Sequence, residues 1–277
     1  MKPAPFDYVR ADSVEEAVSV LAEHGDEARV LAGGQSLMPM LNMRLVRPEV
    51  LVDIGGLPEL AHIEDEGDTV AVGAAVTQGD LADWPELGTA LPVVAAALPH
   101  VGHFQTRNRG TVCGSICHAD PSSELPLCLA LLGGEVELHS AHGVRTVPAD
   151  EFQRGVLTTA KEPDELAVRA RLPKAQDGER FAFLEFQHRH GDFAVVAVAA
   201  KRSGDSVSLA VGGVADRPEV CRWDTLPGDA VEDALNDLAW TLGGGDDIHA
   251  TARHRRQLVR HLGKRAIDAT AADGAGA

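Results

Sequence analysis

Apolar positions recur with two periods along this chain, one helical and one extended. Over residues 13–24 the stripe Val14, Ala17, Val18 and Leu21 predicts an amphipathic helix. Ser13 precedes it and Glu16 follows three later, the spacing of a capping box, with Gly25 where a helix would end. The apolar run 28–32 stops at Gly33-Gly34 and reads as a buried strand feeding a glycine turn. Residues 36–45 read as a loop or short helix, with Pro39 tolerated in its first turn. Residues 50–54 give a second strand, closed by Gly55-Gly56. Residues 1–57 thus predict a small α/β unit with a glycine turn at a strand end, where such folds hold ligands.

The pattern continues with paired strands at 59–67 and 69–72 around an acidic turn. Thr77 is placed to cap a helix over 77–82, and residues 86–98 read as one helical stretch around Pro92. A helix over 125–132, a hairpin of 135–139 with 144–147, and an alternating strand over 165–172 follow. Residues 173–178 form the clearest linker. Beyond it come strands at 180–187 and 206–214, a strand or helix at 193–202, and helices at 231–242 and 250–270. The last helix carries Arg253, Arg255, Arg256, Arg260, Lys264 and Arg265, which read as a solvated face or, alternatively, a partner contact. Residues 272–277 are expected to fray.

Residues 107–126 break both periods. They are rich in glycine and hydroxyls, unlike an ordinary helix or strand, and read as a ligand-binding loop. Gly110 and Gly114 flank Thr111 and Ser115, so backbone amides can approach a ligand closely. Such turns suit a phosphate. Gly33-Gly34-Gln35-Ser36 is alone an ordinary turn, and it is neither a Walker loop nor a GxGxxG fingerprint. Together the two stretches read as halves of one site for a phosphate-bearing cofactor. Asp120 and Glu124 could accept from ribose or ribityl hydroxyls, or from an adenine-side donor. His118 could donate to a ring carbonyl or be a satisfied structural histidine. A GxSxG nucleophile elbow is missing, and His100, His103 and His118 lack a metal-ligand spacing.

Totals sharpen the class. The 277 residues are long for one compact domain and fit sub-domains around a shared cleft. The formal net charge of -17 argues against nucleic-acid binding and against docking on anionic membranes. Cys113, Cys117, Cys128 and Cys221 show no zinc or cluster spacing and read as buried reduced thiols. No apolar run at the start suggests a secretory signal, and none reaches membrane-helix length, so no membrane insertion and a cytoplasmic setting are expected.

Leu31-Ala32-Gly33-Gly34-Gln35-Ser36-Leu37, Arg107-Asn108-Arg109-Gly110-Thr111, His118-Ala119-Asp120-Pro121 and Gly191-Asp192-Phe193-Ala194 stand in the order and spacing of one family. The chain resembles, over nearly its whole length, the FAD-binding medium subunit of molybdenum hydroxylases, relatives of carbon monoxide dehydrogenase and xanthine dehydrogenase. The resemblance implies an α+β protein with a two-lobed vanillyl-alcohol-oxidase (PCMH)-type FAD-binding domain and a C-terminal α/β domain of small antiparallel sheet and helices. Lobe one would span 1–57, lobe two 58–175 and the C-terminal domain 179–271. FAD would lie between the lobes with its pyrophosphate on amides of Ala32, Gly33, Gly34, Gln35, Ser36 and Leu37, and of Thr111, Val112, Cys113, Gly114 and Ser115, with Leu31 and Gly110 also in contact. Val101, His118, Asp120, Glu124 and Leu166 would complete the contacts.

Departures are Cys113-Gly114 where the family usually writes Gly-Gly, Ser115 for Asn, and no lysine in the Leu184–His188 stretch, where Glu185 stands. Cys113 is expected to add bulk to the amide cradle. No catalytic side chain is implied. The resemblance implies electron transfer during oxidative hydroxylation of a small molecule (CO, an N-heterocycle or an aldehyde). Electrons would pass from two 2Fe–2S clusters of a small partner, fed by a molybdenum–pterin cofactor on a large partner, to an external acceptor. The assembly would be a dimer of heterotrimers. A free-standing FAD-dependent oxidase acting directly on substrate is the alternative reading.

Overall fold

The computed structural model describes residues 2–226 and 228–271; the expected frayed tail lies outside them. In the N-terminal unit, β1 (Asp7–Arg10), β2 (Ala28–Leu31) and β3 (Val50–Asp53) form a parallel sheet in the order β1-β3-β2. Helices α1 (Val14–His24) and α2 (Leu37–Asn42) connect them. The apolar stripe of α1 is buried as its period requires. Ser13 Oγ accepts the Glu16 amide, but the Glu16 carboxylate reaches the amide of Asp12 at 2.7 Å, one residue short of a true capping box. β1 escaped the sequence reading because Asp7, Tyr8 and Arg10 are exposed and leave no apolar signal.

The second sheet has the order β4-β5-β10-β6-β7, built from β4 (Ile63–Asp65), β5 (Thr69–Gly73), β6 (Glu135–Ser140), β7 (Gly143–Pro148) and β10 (Leu166–Pro173). β4 is shorter than expected, since Pro58–Leu60 is a 3-10 turn. Between β5 and β6 lie α3 (Gln78–Ala82), α4 (Leu87–Ala90), α5 (Pro92–Ala97), α6 (Phe104–Arg107), α7 (Val112–His118) and α8 (Glu124–Leu132). The single helix expected at 86–98 is broken at Leu91, because Pro92 can only begin a helix there and removes an internal donor. A short α9 (Ala149–Phe152) and the ribbon β8 (Gln153–Gly155) with β9 (Thr158–Thr159), all missed in the sequence, complete this part.

The third sheet is antiparallel, β11 (Arg180–Phe186), β12 (Val196–Ser203), β13 (Ser206–Gly212) and β14 (Glu219–Trp223) in order. It resolves 193–202 as a strand and adds β14, which the sequence did not show. Its two faces differ in side-chain size. Val198, Ala200, Leu209 and Val211 turn towards α10 (Val231–Leu242) and α11 (Ala252–Ala269). Ala197, Ala199 and Ala210 turn the other way, with Phe183, into the core that contains α5 and α8. Small residues let those helices lie close against the sheet, and a buried acid discussed below shares that face.

The basic helix α11 is only partly solvated. Arg255 is 6% exposed and donates to the carbonyls of Val195 and Gly213 and to Asp247. Arg256 stacks on the Trp240 ring, 4.4 Å from its centroid. Among the described residues no helix is long and apolar enough to cross a membrane.

Candidate functional site

Parallel pairing brings the C-terminal ends of β2 and β3 to one edge, and both strands leave it through glycines. Leu31 ends β2. Ala32, Gly33, Gly34, Gln35 and Ser36 then form a turn, and Leu37 opens α2. Gly34 has φ +71°, which favours glycine. The backbone N–H groups from Ala32 to Leu37 donate to no protein acceptor among the described residues. A run of unpaired amides of this length is rare in a folded chain unless solvent or a ligand serves it.

The second half is not the loop its composition implied. Val112 to His118 form α7, and the hydroxyl of Thr111 caps it by accepting the Gly114 amide at 3.0 Å. Gly114 is required by that cap: a Cβ there would lie 2.6 Å from Thr111 Oγ1. The strand-like approach to the helix is pinned from outside. Gln78 N–H donates to the Gly110 carbonyl at 2.8 Å and Val112 N–H to the Val76 carbonyl at 3.1 Å. Thr77, which makes a capping box with Asp80, faces Thr111 across an isolated bridge. The amides of Thr111 and Cys113 stay free among the described residues, while Ser115 N–H folds back to the Thr111 carbonyl. The Cys113 side chain does not enter the cradle. It is 2% exposed, and its Sγ sits 3.4 Å from the Val72 carbonyl inside the core, because its helical position faces β5. The expected bulk is therefore absent.

The two halves touch. A Cβ on Gly33 would fall 2.0 Å from the Arg109 carbonyl oxygen and 2.8 Å from Gly110 Cα. Unpaired amides thus line both sides of a junction too tight for any side chain. Arg107 supports the junction, donating to the carbonyls of Val101 and Gly102 and so holding buried Val101 in place.

Beyond α7 the chain turns at Ala119, which has φ +53°, and its carbonyl accepts from Leu157 N–H, itself at φ +52°. Two non-glycine residues in this region, bonded to each other, mark a strained turn directly after His118. One oxygen of Asp120 accepts the Ser122 amide at 2.9 Å, which shapes the entry to α8. Glu124 opens α8 and is 4% exposed; burial first, then Asp120, pushes its carboxyl up to about 7. Leu166 opens β10 opposite His139 with its side chain in the core.

The sequence-based site set omitted Glu185 and His100. Glu185 is on β11, two residues from Phe183 and therefore on the same face. Its side chain is fully buried, and neither carboxylate oxygen has a hydrogen-bond partner. His100 Nδ1 lies 3.2 Å from Glu185 Oε1, also without hydrogen-bond alignment. The pair is not an ion pair, because burial moves both groups towards their neutral forms: Glu185 up to about 8, His100 down. The available sequence signal was an acid at an inward position of an alternating strand.

These residues fit FAD. The unpaired amides on both sides of the Gly33 junction match a pyrophosphate, which backbone donors can hold without a cation. The unsatisfied polar atoms at Glu185 and His100 mark a second place where a polar ligand group is missing.

Comparison with known proteins agrees. Residues 4–175 match the family described as the FAD binding domain in molybdopterin dehydrogenase. The chain is 35% identical over 280 residues to the 6-hydroxypseudooxynicotine dehydrogenase complex subunit alpha of Paenarthrobacter nicotinovorans, covering 96% of this chain and 95% of that one. It superposes on a carbon monoxide dehydrogenase structure from Hydrogenophaga pseudoflava with a TM-score of 0.91 and 32% identity, covering 98% of each chain. A quinoline 2-oxidoreductase from Pseudomonas putida 86 gives a TM-score of 0.90 at 33% identity, again over 98% of each.

Proposed function

The chain belongs to the FAD-binding medium subunits of the molybdenum hydroxylases, and from that premise we propose that it is the electron-transfer subunit of a three-subunit hydroxylase. A large partner would carry the molybdenum–pterin cofactor and hydroxylate a small molecule. A small partner would carry two 2Fe–2S clusters. This subunit would pass their electrons to an external acceptor, in a cytoplasmic dimer of heterotrimers. Residues 1–57 and 58–175 would be the two lobes around FAD, and 179–271 the domain that closes its ring end.

The observation that carries this reading is the Gly33 junction, where two unpaired amide runs face one narrow space. Bound FAD would supply two-electron and one-electron chemistry at a potential set by the protein. The chain's residues bind and orient it. Amides of Ala32 to Leu37 and of Thr111 and Cys113 would hold the pyrophosphate, Asp120 and Glu124 would accept from sugar or ribityl hydroxyls, and His118 would donate to a carbonyl. The side chains of Val101, Val112 and Leu166 pack the walls from behind and exclude water. No side chain of this subunit would need to act on the organic substrate.

The test is to purify the chain with and without its genomic neighbours. The protein should be yellow with about one FAD per chain, and should co-purify with a molybdopterin-binding and an iron–sulfur subunit. A colourless chain that takes up no added FAD would exclude the reading.

A further inference from the structure

Glu185 has the wrong surroundings for a structural acid. Buried carboxylates are kept by cations or by several donors. Here both oxygens are shielded from solvent and neither meets a donor. The titratable groups that face it are His100 from the 3-10 turn Leu98–His100 and Glu124 from α8, with His190 behind His100 and Asp120 behind Glu124. None is a fixed cation. A second acid nearby adds repulsion rather than relief, so the protonated form of Glu185 is favoured twice, by burial and then by Glu124.

Its position gives this a purpose. The face of β11 that carries Phe183 and Glu185 packs against the second lobe, and the Phe183 and His100 rings lie 5.4 Å apart. His100 precedes Val101, and Glu124 follows the His118–Asp120 turn, so Glu185, in the domain proposed to close the ring end, sits between two segments that carry proposed cofactor contacts. Three polar atoms in one place, His100 Nδ1 and the two Glu185 oxygens, lack partners. An unfilled set of this kind calls for a ligand with both donors and acceptors on one edge.

Resting on the FAD assignment above, we propose that the Glu185 carboxyl, in its protonated form, hydrogen-bonds the ring system of bound FAD and closes that end of the cleft from the C-terminal domain. A neutral acid both donates and accepts, so it can pair with a flavin carbonyl and an adjacent N–H. Ionisation would remove the donor and set an uncompensated anion against carbonyl oxygens. FAD affinity therefore falls when Glu185 ionises.

The test is fluorescence titration of the cofactor-stripped full-length chain with FAD, from about pH 6 to about pH 9. For the unmodified chain the dissociation constant should be flat at low pH and about tenfold higher at pH 9, one pH unit above the Glu185 ionisation. Glu185→Gln, which keeps a donor and an acceptor, should lose the rise above about pH 8, and Glu124→Gln, which removes the acid that raises Glu185, should keep a rise that begins at lower pH. A second readout needs no variant: FAD binding to the unmodified chain should perturb a protonated-carboxyl infrared band at neutral pH. A flat profile in the unmodified chain, or no such band, would overturn the proposal while leaving FAD binding intact. No FAD uptake at any pH would overturn the cofactor assignment itself.

Discussion

The Cα of Gly33 faces the carbonyl oxygen of Arg109 so closely that a methyl group placed on it would lie 2.0 Å away. Two segments separated by more than seventy positions in the chain are thereby held at backbone contact, with free amides on either side. Gly33 is not among the glycines with positive φ, so the requirement is space and not conformation. Gly33→Ala must push the 31–37 turn away from Arg109 and Gly110, and backbone cannot rotate aside as a side chain can. We expect at least a tenfold loss of FAD affinity, about 1.4 kcal/mol or more, read by fluorescence titration. Gly67→Ala is the control: it has φ +86° but no neighbour within 4 Å, so it should cost about 1 kcal/mol of stability and no affinity.

Thr111 joins fold and site in one hydroxyl. Its Oγ1 caps α7 through Gly114, and its own amide is unpaired among the described residues, one of those proposed to hold FAD. Thr111→Ala should lower stability by about 1 kcal/mol, the usual loss for a removed cap. It should also weaken FAD binding, since the first turn of α7 presents the Cys113 amide. Thr111→Ser keeps the oxygen and should restore most of both. Thermal unfolding and FAD titration of the two variants separate this from a simple packing effect, which serine would not rescue.

How legible was this in the sequence? Strand ends with double glycines, the Ser13 hydroxyl cap and the inward alternation of β10 all follow local rules, and the structure keeps them. The glycine- and hydroxyl-rich stretch was read as a loop, and residues 112–118 of it are a helix. A helix of seven residues with a capping threonine has too few apolar positions to show a period, and its stability comes from Cys113 and Ile116 packing into the core. Glu185 shows the opposite limit. Its letter is plain, but its burial depends on β11 packing against α5 and the core around it, a tertiary fact no local pattern carries.

Cys113 was expected to crowd the cradle, and its burial against Val72 changes the outcome of mutating it. Burial pushes the thiol well above its ordinary range, so it should resist alkylation in the folded state. Cys113→Gly deletes a core side chain and puts glycine into α7. Together these should cost about 2 kcal/mol. FAD affinity should stay within about twofold, under 0.5 kcal/mol, because the Cys113 side chain lies in the core and only its unpaired amide is proposed to hold FAD. A melt and a titration on the same variant read both, and a large loss of affinity without loss of stability would place the thiol in the site after all.

Asp247 predicts a pH dependence of stability remote from the cofactor. Its carboxylate accepts the amides of Ala250 and His249 and the Arg255 guanidinium, which hold it down to about 2. Since the folded-state value is depressed, the carboxylate stabilises the fold above the ordinary aspartate range. That contribution fades as pH falls from about 4 towards 2. The link matters because Arg255 also ties α11 to the carbonyls of Val195 and Gly213, at the ends of β12, which pairs with the Glu185 strand, and of β13 beyond it. Asp247→Asn removes the counter-charge of a buried guanidinium. Its melting temperature at neutral pH should fall by about 2–4 °C, the shift for roughly 1 kcal/mol in a chain of this size. The gap to the parent should narrow steadily as both are titrated below about pH 4, where Asp247 of the unfolded chain protonates while that of the folded chain still resists. A constant gap across that range would show that the Asp247 charge contributes nothing and that only its hydrogen-bond geometry does.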